Sequence, residues 1–198
     1  MFRIICMLIG YAFGLLQTSY IVGKLSGIDI RDHGSKSAGF TNTNRVLGFK
    51  KGSIVFFTDI FKCVAAIIVA RTLFGDAGLV AGLYAGIGAI LGHVFPFYMR
   101  FKGGKGVACL LGLIVMLDWR IILVSFTVGL VVVIITRFIS AASMSIAGSV
   151  PFVMLAIGYP REAVVIGVAI CIFTCCLHHS NIARLLHGVE NKFSFKKK

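Results

Sequence analysis

Seven apolar runs, at residues 4–23, 53–70, 77–95, 107–117, 121–136, 138–158 and 163–177, leave little of the chain outside them. Crossing the hydrocarbon core of a bilayer takes about 20 mostly apolar residues as helix. Inside lipid, a helix satisfies its backbone polar groups within one segment. The expected fold is therefore an all-α integral membrane protein with seven transmembrane helices, one membrane-embedded domain over residues 1–198. Composition agrees, with 58% hydrophobic and 14% charged residues, against roughly 45–50% and 25% in soluble domains. The run at 107–117 is short. Joined to the next it would make about 30 residues, roughly 45 Å of helix, with Asp118 and Arg120 near the middle of the core. A turn at Asp118–Arg120, with Trp119 at the interface, is expected instead.

Charge sets the orientation. Of 20 Lys and Arg residues, 15 fall on the side holding 24–52, 96–106, 137 and the tail after 177, and 4 on the other. Positive residues mark the cytoplasmic side, which puts the N-terminus outside and the C-terminus in the cytoplasm. The net charge of +13 is explained by topology and anionic ligands. No nucleic-acid partner is expected, since no helix-turn-helix or base-stacking motif accompanies it. Residues 1–23 carry one early base and no small-x-small cleavage site, so they read as a first span rather than a removable leader. The six cysteines lie in apolar runs without metal-type spacing and read as small core hydrophobes. No metal or cofactor is expected.

All the motif-like stretches lie on the inner side. Residues 92–106, from Gly92-His93 to Gly103-Gly104-Lys105-Gly106, put three bases and several glycines between apolar runs. Glycines there let successive N–H groups point at one oxyanion, with Lys105 adding a charge. A plain basic turn is the alternative. The loop at 24–48 is dense in Gly, Ser, Thr and Asn, and Ser35 and Gly39 to Asn42 offer further anion nests, with Arg45 one helical turn past Thr41. Asp59 and Lys62, three apart in the second span, share a face and read as a structural ion pair. Ser140 and Ser143 open the sixth span; such serines bond back to the preceding turn or to a neighbouring helix. Beyond residue 177, Ile182, Leu185, Leu186 and Val189 space an interfacial amphipathic helix, with His178 and Asn181 on one face. Lys196, Lys197 and Lys198 read as a lipid-surface anchor.

Several chemistries fail on spacing. The Walker A pattern is missing, because Gly106 follows Lys105 and Met99 stands at the first glycine position. No His-x4-Asp pair and no Gly-x-Ser-x-Gly elbow is present. The inner motifs are rich in cations, N–H donors, amides and hydroxyls, and poor in bases. That inventory suits phosphate groups at a membrane surface, where fixed donors stabilise charge developing at an acyl phosphate.

Together the motifs resemble the PlsY family, integral-membrane acyl-phosphate:glycerol-3-phosphate acyltransferases of bacteria. Gly27-Ile-Asp-Ile-Arg31, Gly34-Ser35, Gly39-x-Thr41-Asn42 and Arg45-Val-Leu-Gly48 are similar to its first motif. Gly92-His-x-Phe-Pro96 with Phe101-Lys-Gly-Gly-Lys-Gly-Val107 is similar to its second, and His178-x-x-Asn181-Ile-x-Arg184-Leu-Leu-x-Gly188-x-Glu190 to its third. Asp59-x-x-Lys62 and Arg137-x-x-Ser140-x-x-Ser143 match as well. The resemblance implies acyl transfer from acyl phosphate to glycerol 3-phosphate, giving lysophosphatidate and phosphate for phospholipid synthesis. It implies a multi-pass protein of the bacterial inner membrane, in contact with membrane lipids, its active site facing the cytoplasm. By the same resemblance Gly103, Gly104 and Lys105 hold phosphate, Ser35, Thr41, Asn42 and Arg45 complete the anion sites, and His178, Asn181 and Ser143 orient glycerol 3-phosphate. Lys105, Arg45, His178 and Asn181 are the candidate catalytic residues.

The chain departs from the pattern in three places. Gly14-Leu-Leu-Gln17 stands where the family has Gly-Ser-Ile-Pro, Lys36 and Ser37 stand where Gly and Asn are expected, and His179 replaces an Arg. A catalytically silent paralogue that binds phosphorylated lipid is one alternative. A small anion transporter is another, for which Asp59 and Lys62 alone would mark a path.

Overall fold

The computed structural model describes residues 1–193, so Lys196, Lys197 and Lys198 lie outside the described residues. Ten α-helices and three short 3-10 turns make up the described chain, which contains no strand. It divides into two compact units, Met1–Leu117 and Asp118–Lys198.

In the first unit the expected span at 4–23 is broken. Helix α1 (Phe2–Gly14) stops, and α2 (Thr18–Leu25) begins after Gln17, whose ψ of 76° is not helical. Apolar periodicity does not reveal such a break, because both pieces are apolar. Within lipid the released carbonyls need other donors. Tyr98 Oη donates to Leu15 O at 2.6 Å, and Lys62 Nζ donates to Leu16 O at 2.6 Å. The Gln17 side chain donates to Gly14 O at 3.4 Å and to His93 O at 2.8 Å.

Helix α3 (Phe40–Leu47) is short and amphipathic, and Gly48, at φ 85°, turns the chain into α4 (Phe49–Leu73). Between Ile54 and Ala70 helix α4 is largely apolar. Ile54, Phe57, Phe61 and Ile68 are exposed along one side, while Val55, Cys63, Ala66, Ile67 and Ala70 are fully buried on the other. A helix apolar on its exposed side belongs in lipid. Asp59 and Lys62 face inward, Lys62 Nζ lying 2.7 Å from Asp59 Oδ1. That contact is ionic rather than a well-aligned hydrogen bond.

Helix α5 (Gly78–Val94) packs against α1 backbone to backbone. A Cβ on Gly10 or Gly14 would run into the carbonyls of Ala85 or Ala89, and one on Gly88 or Gly92 into those of Met7 or Tyr11. With little hydrophobic force between helices in lipid, such small-residue contact is what holds them together. Helix α6 (Val107–Leu117) packs against α4, where Gly112 lies over Ile60 O.

In the second unit Asp118 caps α7 (Trp119–Thr136) by accepting the Arg120 N–H at 2.8 Å. Helix α8 (Ile139–Ala156) packs on α7 and on α9 (Arg161–Leu177). Ser149 Oγ donates to Ser125 Oγ at 2.9 Å, joining α7 and α8. Helix α10 (His179–Leu186) follows α9 at a bend of 61°. Gly188, at φ 70°, turns the chain just beyond α10, so Val189 of the expected apolar stripe falls outside the helix.

Five helical stretches are long and apolar enough to cross a membrane, and six if α9 and α10 count as one bent pair. The 11 residues of α6 reach about 16 Å, short of the roughly 30 Å of the hydrocarbon core.

Candidate active site

The loop after α2 is held by its own polar side chains. Asp29 accepts the Arg31 N–H at 3.0 Å and pairs with the Arg31 guanidinium through Nε at 3.0 Å and Nη2 at 2.7 Å. The Arg31 guanidinium thereby holds the Asp29 carboxyl down at about 2. Arg31 Nη1 also donates to Met99 O at 3.1 Å, tying this loop to the one after α5. Asn42 is buried in α3 and fully engaged. Its Oδ1 accepts the Ser35 N–H at 2.8 Å, and its Nδ2 donates to Ile30 O and His33 O, each at 3.0 Å. Asn42 therefore shapes the loop, and its amide is not turned toward an anion as the sequence suggested.

Ser35 and Arg45 are exposed and Thr41 is half-buried. Among the described residues, the Ser35 and Thr41 hydroxyls and the Arg45 guanidinium make no hydrogen bond or ion pair. Thr41 and Arg45, four apart on α3, lie on one helix face. These three side chains are available to an anion.

Lys36 stands where glycine was expected, and it adopts the glycine conformation, with φ 58°. The turn after Ser35 is thus kept, at a cost of about 1–2 kcal/mol for a side chain in the left-handed region. Glycine's greater freedom in the unfolded chain offsets part of that difference. Lys36→Gly is therefore expected to raise stability by about 1 kcal/mol, read as a higher thermal midpoint in detergent. A lower midpoint would show that the Lys36 side chain makes a stabilising contact of its own.

The second motif corrects an expectation. Gly103 and Gly104 do not turn their N–H groups to a ligand. Gly103 donates to Val94 O at 3.0 Å and Gly104 to His93 O at 3.1 Å, closing the loop onto the last turn of α5. Their glycine identity comes from crowding. A Cβ on Gly103 would meet His93 O and Pro96, and one on Gly104 would meet the His93 ring and Ala38 O. Ala38 in turn donates its N–H to Gly103 O at 3.3 Å, so the first and second motifs meet at their backbones. Lys105 is half-buried, next to Gly106 at φ 75°, where α6 begins. The first N–H groups of a helix have no acceptor within it, which suits an anion beside Lys105.

In the second unit the third motif gathers on Glu190, its last residue, to which the sequence assigned no role. Glu190 Oε1 accepts from Ser140 Oγ at 2.9 Å and Asn181 Nδ2 at 2.7 Å, and Oε2 accepts from Arg184 Nε at 2.6 Å. Burial pushes the Glu190 carboxyl up, but the bonds from Asn181, Arg184 and Ser140 outweigh it and hold it below its ordinary value. His178 sits at the α9–α10 bend, its Nδ1 2.8 Å from Thr174 O. A carbonyl only accepts, so Nδ1 carries a proton and Nε2 is the nitrogen turned away from that bond. Ser143 Oγ donates back to Ile139 O at 2.8 Å, as membrane-helix serines do.

Two further residues were given no role from the sequence. Gln17 and His93 are buried polar groups in apolar runs, and intramembrane polarity was their signal. His93 Nδ1 lies 2.9 Å from Lys62 Nζ and 3.4 Å from Asp59 Oδ1, which extends the expected ion pair to three residues. Asp29, Asp59 and Glu190 are each tied to a cation. None of these three carboxylates is left to act as a base.

The comparisons with known proteins agree with this chemistry. The family model described as glycerol-3-phosphate acyltransferase matches residues 4–188. A glycerol-3-phosphate acyltransferase of Thermoanaerobacter sp. (strain X514) is 34% identical over 99% of this chain and 98% of its own. One from Thermus thermophilus is 39% identical over 94% and 92%. The crystal structure of PlsY, an integral membrane glycerol 3-phosphate acyltransferase, in its glycerol 3-phosphate form matches with a TM-score of 0.90. It is 33% identical and covers 97% of this chain and 96% of that one. A lysophosphatidic acid form of PlsY matches with a TM-score of 0.87. The chain belongs to the glycerol-3-phosphate acyltransferase family, as an integral membrane protein of the PlsY type.

Proposed function

We propose that the two inner loops of the first unit hold phosphate through Lys105, Arg45, Ser35 and Thr41, while His178 and Asn181 of the second orient glycerol 3-phosphate. The protein is a glycerol-3-phosphate acyltransferase. It transfers a fatty acyl group from acyl phosphate to glycerol 3-phosphate, giving lysophosphatidate and inorganic phosphate for phospholipid synthesis. The observation that carries the site reading is the set of unpartnered hydroxyls and guanidinium at Ser35, Thr41 and Arg45, beside a loop tied to the one bearing Lys105. In this reading the hydroxyl oxygen of glycerol 3-phosphate attacks the acyl carbonyl carbon and the acyl–oxygen bond to phosphate breaks. In the same reading the departing phosphate takes the hydroxyl proton. Purified protein given acyl phosphate and glycerol 3-phosphate should release phosphate and form lysophosphatidate. Use of acyl-CoA instead, without phosphate release, would overturn the donor, and an uncharged isostere of that phosphate reacting equally well would overturn the proton's destination.

The chain is proposed to act as one domain, since the family match runs through both units. Seven crossings, with the N-terminus outside, are supported by the count of inner bases, the short α6 included as a crossing. On that topology the motifs face the cytoplasm of a bacterial inner membrane. A cysteine placed at Trp119 should then react with an impermeant thiol reagent added outside intact cells. Protection there, with labelling only after lysis, would remove the α6 crossing.

A further inference from the structure

We propose that Asp59, Lys62 and His93 form a buried positioning relay. Lys62 sets the His93 ring, and His93 sets the Gly103–Gly104 turn that carries Lys105. The inference rests on the reading of Lys105 as a phosphate ligand and concerns what holds that lysine in place.

All three residues are at least 96% buried. Lys62 Nζ donates to Leu16 O at 2.6 Å, lies 2.9 Å from His93 Nδ1, and makes an ionic contact with Asp59 Oδ1 at 2.7 Å. A lysine ammonium only donates, so His93 Nδ1 accepts and the neutral ring carries its proton on Nε2. That edge of the ring faces the loop, because a Cβ added at Gly104 would collide with His93 Nε2. The same residue holds the loop through its backbone. His93 O accepts the Gly104 N–H at 3.1 Å and Gln17 Nε2 at 2.8 Å. Val94 O accepts the Gly103 N–H at 3.0 Å. His93 thus touches the buried charges with one ring nitrogen and the phosphate loop with the other edge and its carbonyl.

Stability alone does not explain the arrangement. A buried ion pair replaced by apolar groups of like volume is often neutral or better. What the charges supply is direction: Lys62 selects one tautomer and one orientation of a ring wedged against Gly104. Gln17, standing where the family pattern has proline, strengthens the same point by bonding the carbonyl that receives Gly104. None of the three charged or ring groups needs to touch substrate, so they are positioning residues.

The test uses the full-length protein in detergent. The double variant Asp59→Asn/Lys62→Met removes both charges without orphaning one. It is expected to lose some thermal midpoint, because Leu16 O loses its donor, but to stay folded and lose about tenfold or more in kcat/KM. Adding Lys105→Ala to it should cost less than Lys105→Ala costs the wild type, since both act on one group. His93→Gln, which keeps an N–H near the Nε2 position, should retain more activity than His93→Leu. Nitrogen-15 spectra of histidine-labelled wild type should show His93 protonated on Nε2 alone, and the double variant a mixture of tautomers. Wild-type kcat/KM in the double variant, fully additive losses, or a wild-type His93 protonated on Nδ1 would each overturn the relay. The spectrum stands even if the double variant does not fold. If Lys105→Ala itself were active, the phosphate reading would fail instead, so the two failures are distinguishable.

Discussion

Lys105→Ala is expected to leave a folded, membrane-inserted protein whose acyl-transfer rate has fallen by about 100- to 1000-fold, the range for losing one fixed group that stabilises developing negative charge. Lys105 is half-buried at the start of α6, and the turn bearing it is held by backbone bonds to His93 and Val94. The fold should therefore tolerate the change, with a thermal midpoint in detergent close to wild type. The kinetics identify the phosphate concerned. A rise in KM for glycerol 3-phosphate alone assigns Lys105 to the acceptor, whereas a fall in kcat with weaker inhibition by inorganic phosphate assigns it to the donor. Lys105→Arg should recover only part of the rate, because a planar guanidinium on a longer reach does not replace a point charge. Wild-type rates in Lys105→Ala would refute the role.

Glu190→Ala is the second large effect, and it should be seen first in stability. The carboxylate is the shared acceptor for Ser140, Asn181 and Arg184, and its side chain is 6% exposed. Removing it strands those donors, and a loss of about 2–4 kcal/mol is expected from buried unsatisfied groups. The Asn181 amide would lose its orientation, so the surviving folded enzyme should show a raised KM for glycerol 3-phosphate. The pH dependence has a definite sign. The folded Glu190 carboxyl lies below its ordinary value of 4.5. Its stabilising contribution is therefore complete above that value and is lost as pH falls through the lower folded one. Acid titration of the unfolding midpoint should show a decline below about pH 4.5 that is smaller in Glu190→Ala, where Asp29 still contributes at lower pH. An unchanged midpoint in Glu190→Ala at neutral pH would show that the three donors find other acceptors.

Much of this was legible in the chain, and the illegible parts share a cause. Apolar runs announced helices, and the i, i+3 spacing announced the Asp59–Lys62 pair. Spacing within one helix says nothing of a third partner 31 residues away, which is why His93 was missed. The link from Ser140 to Glu190, 50 residues apart, was hidden in the same way. Gly103 and Gly104 posed a different problem. A nest of ligand-facing N–H groups and a turn crowded by neighbouring backbone require the same residue, so composition cannot separate them. Lys36 hid its conformation because nothing in a lysine signals positive φ. The break at Leu15–Gln17 was invisible because hydropathy records side chains, and what changed there was the backbone.

The glycine contact between α1 and α5 also sets an order for making the protein. Gly10 meets Ala85, 75 residues later in the chain. At about 5–20 residues per second, synthesis takes roughly 4–15 s to cover that distance. Throughout that interval the first helix sits in the bilayer without its partner, its notched surface facing lipid or the insertion machinery. Alanine at Gly10 or Gly88 would therefore harm biogenesis before it harmed catalysis. The newborn chain would reach its fifth helix and find no seat for the first, and quality-control proteases, rather than kinetics, would register the defect.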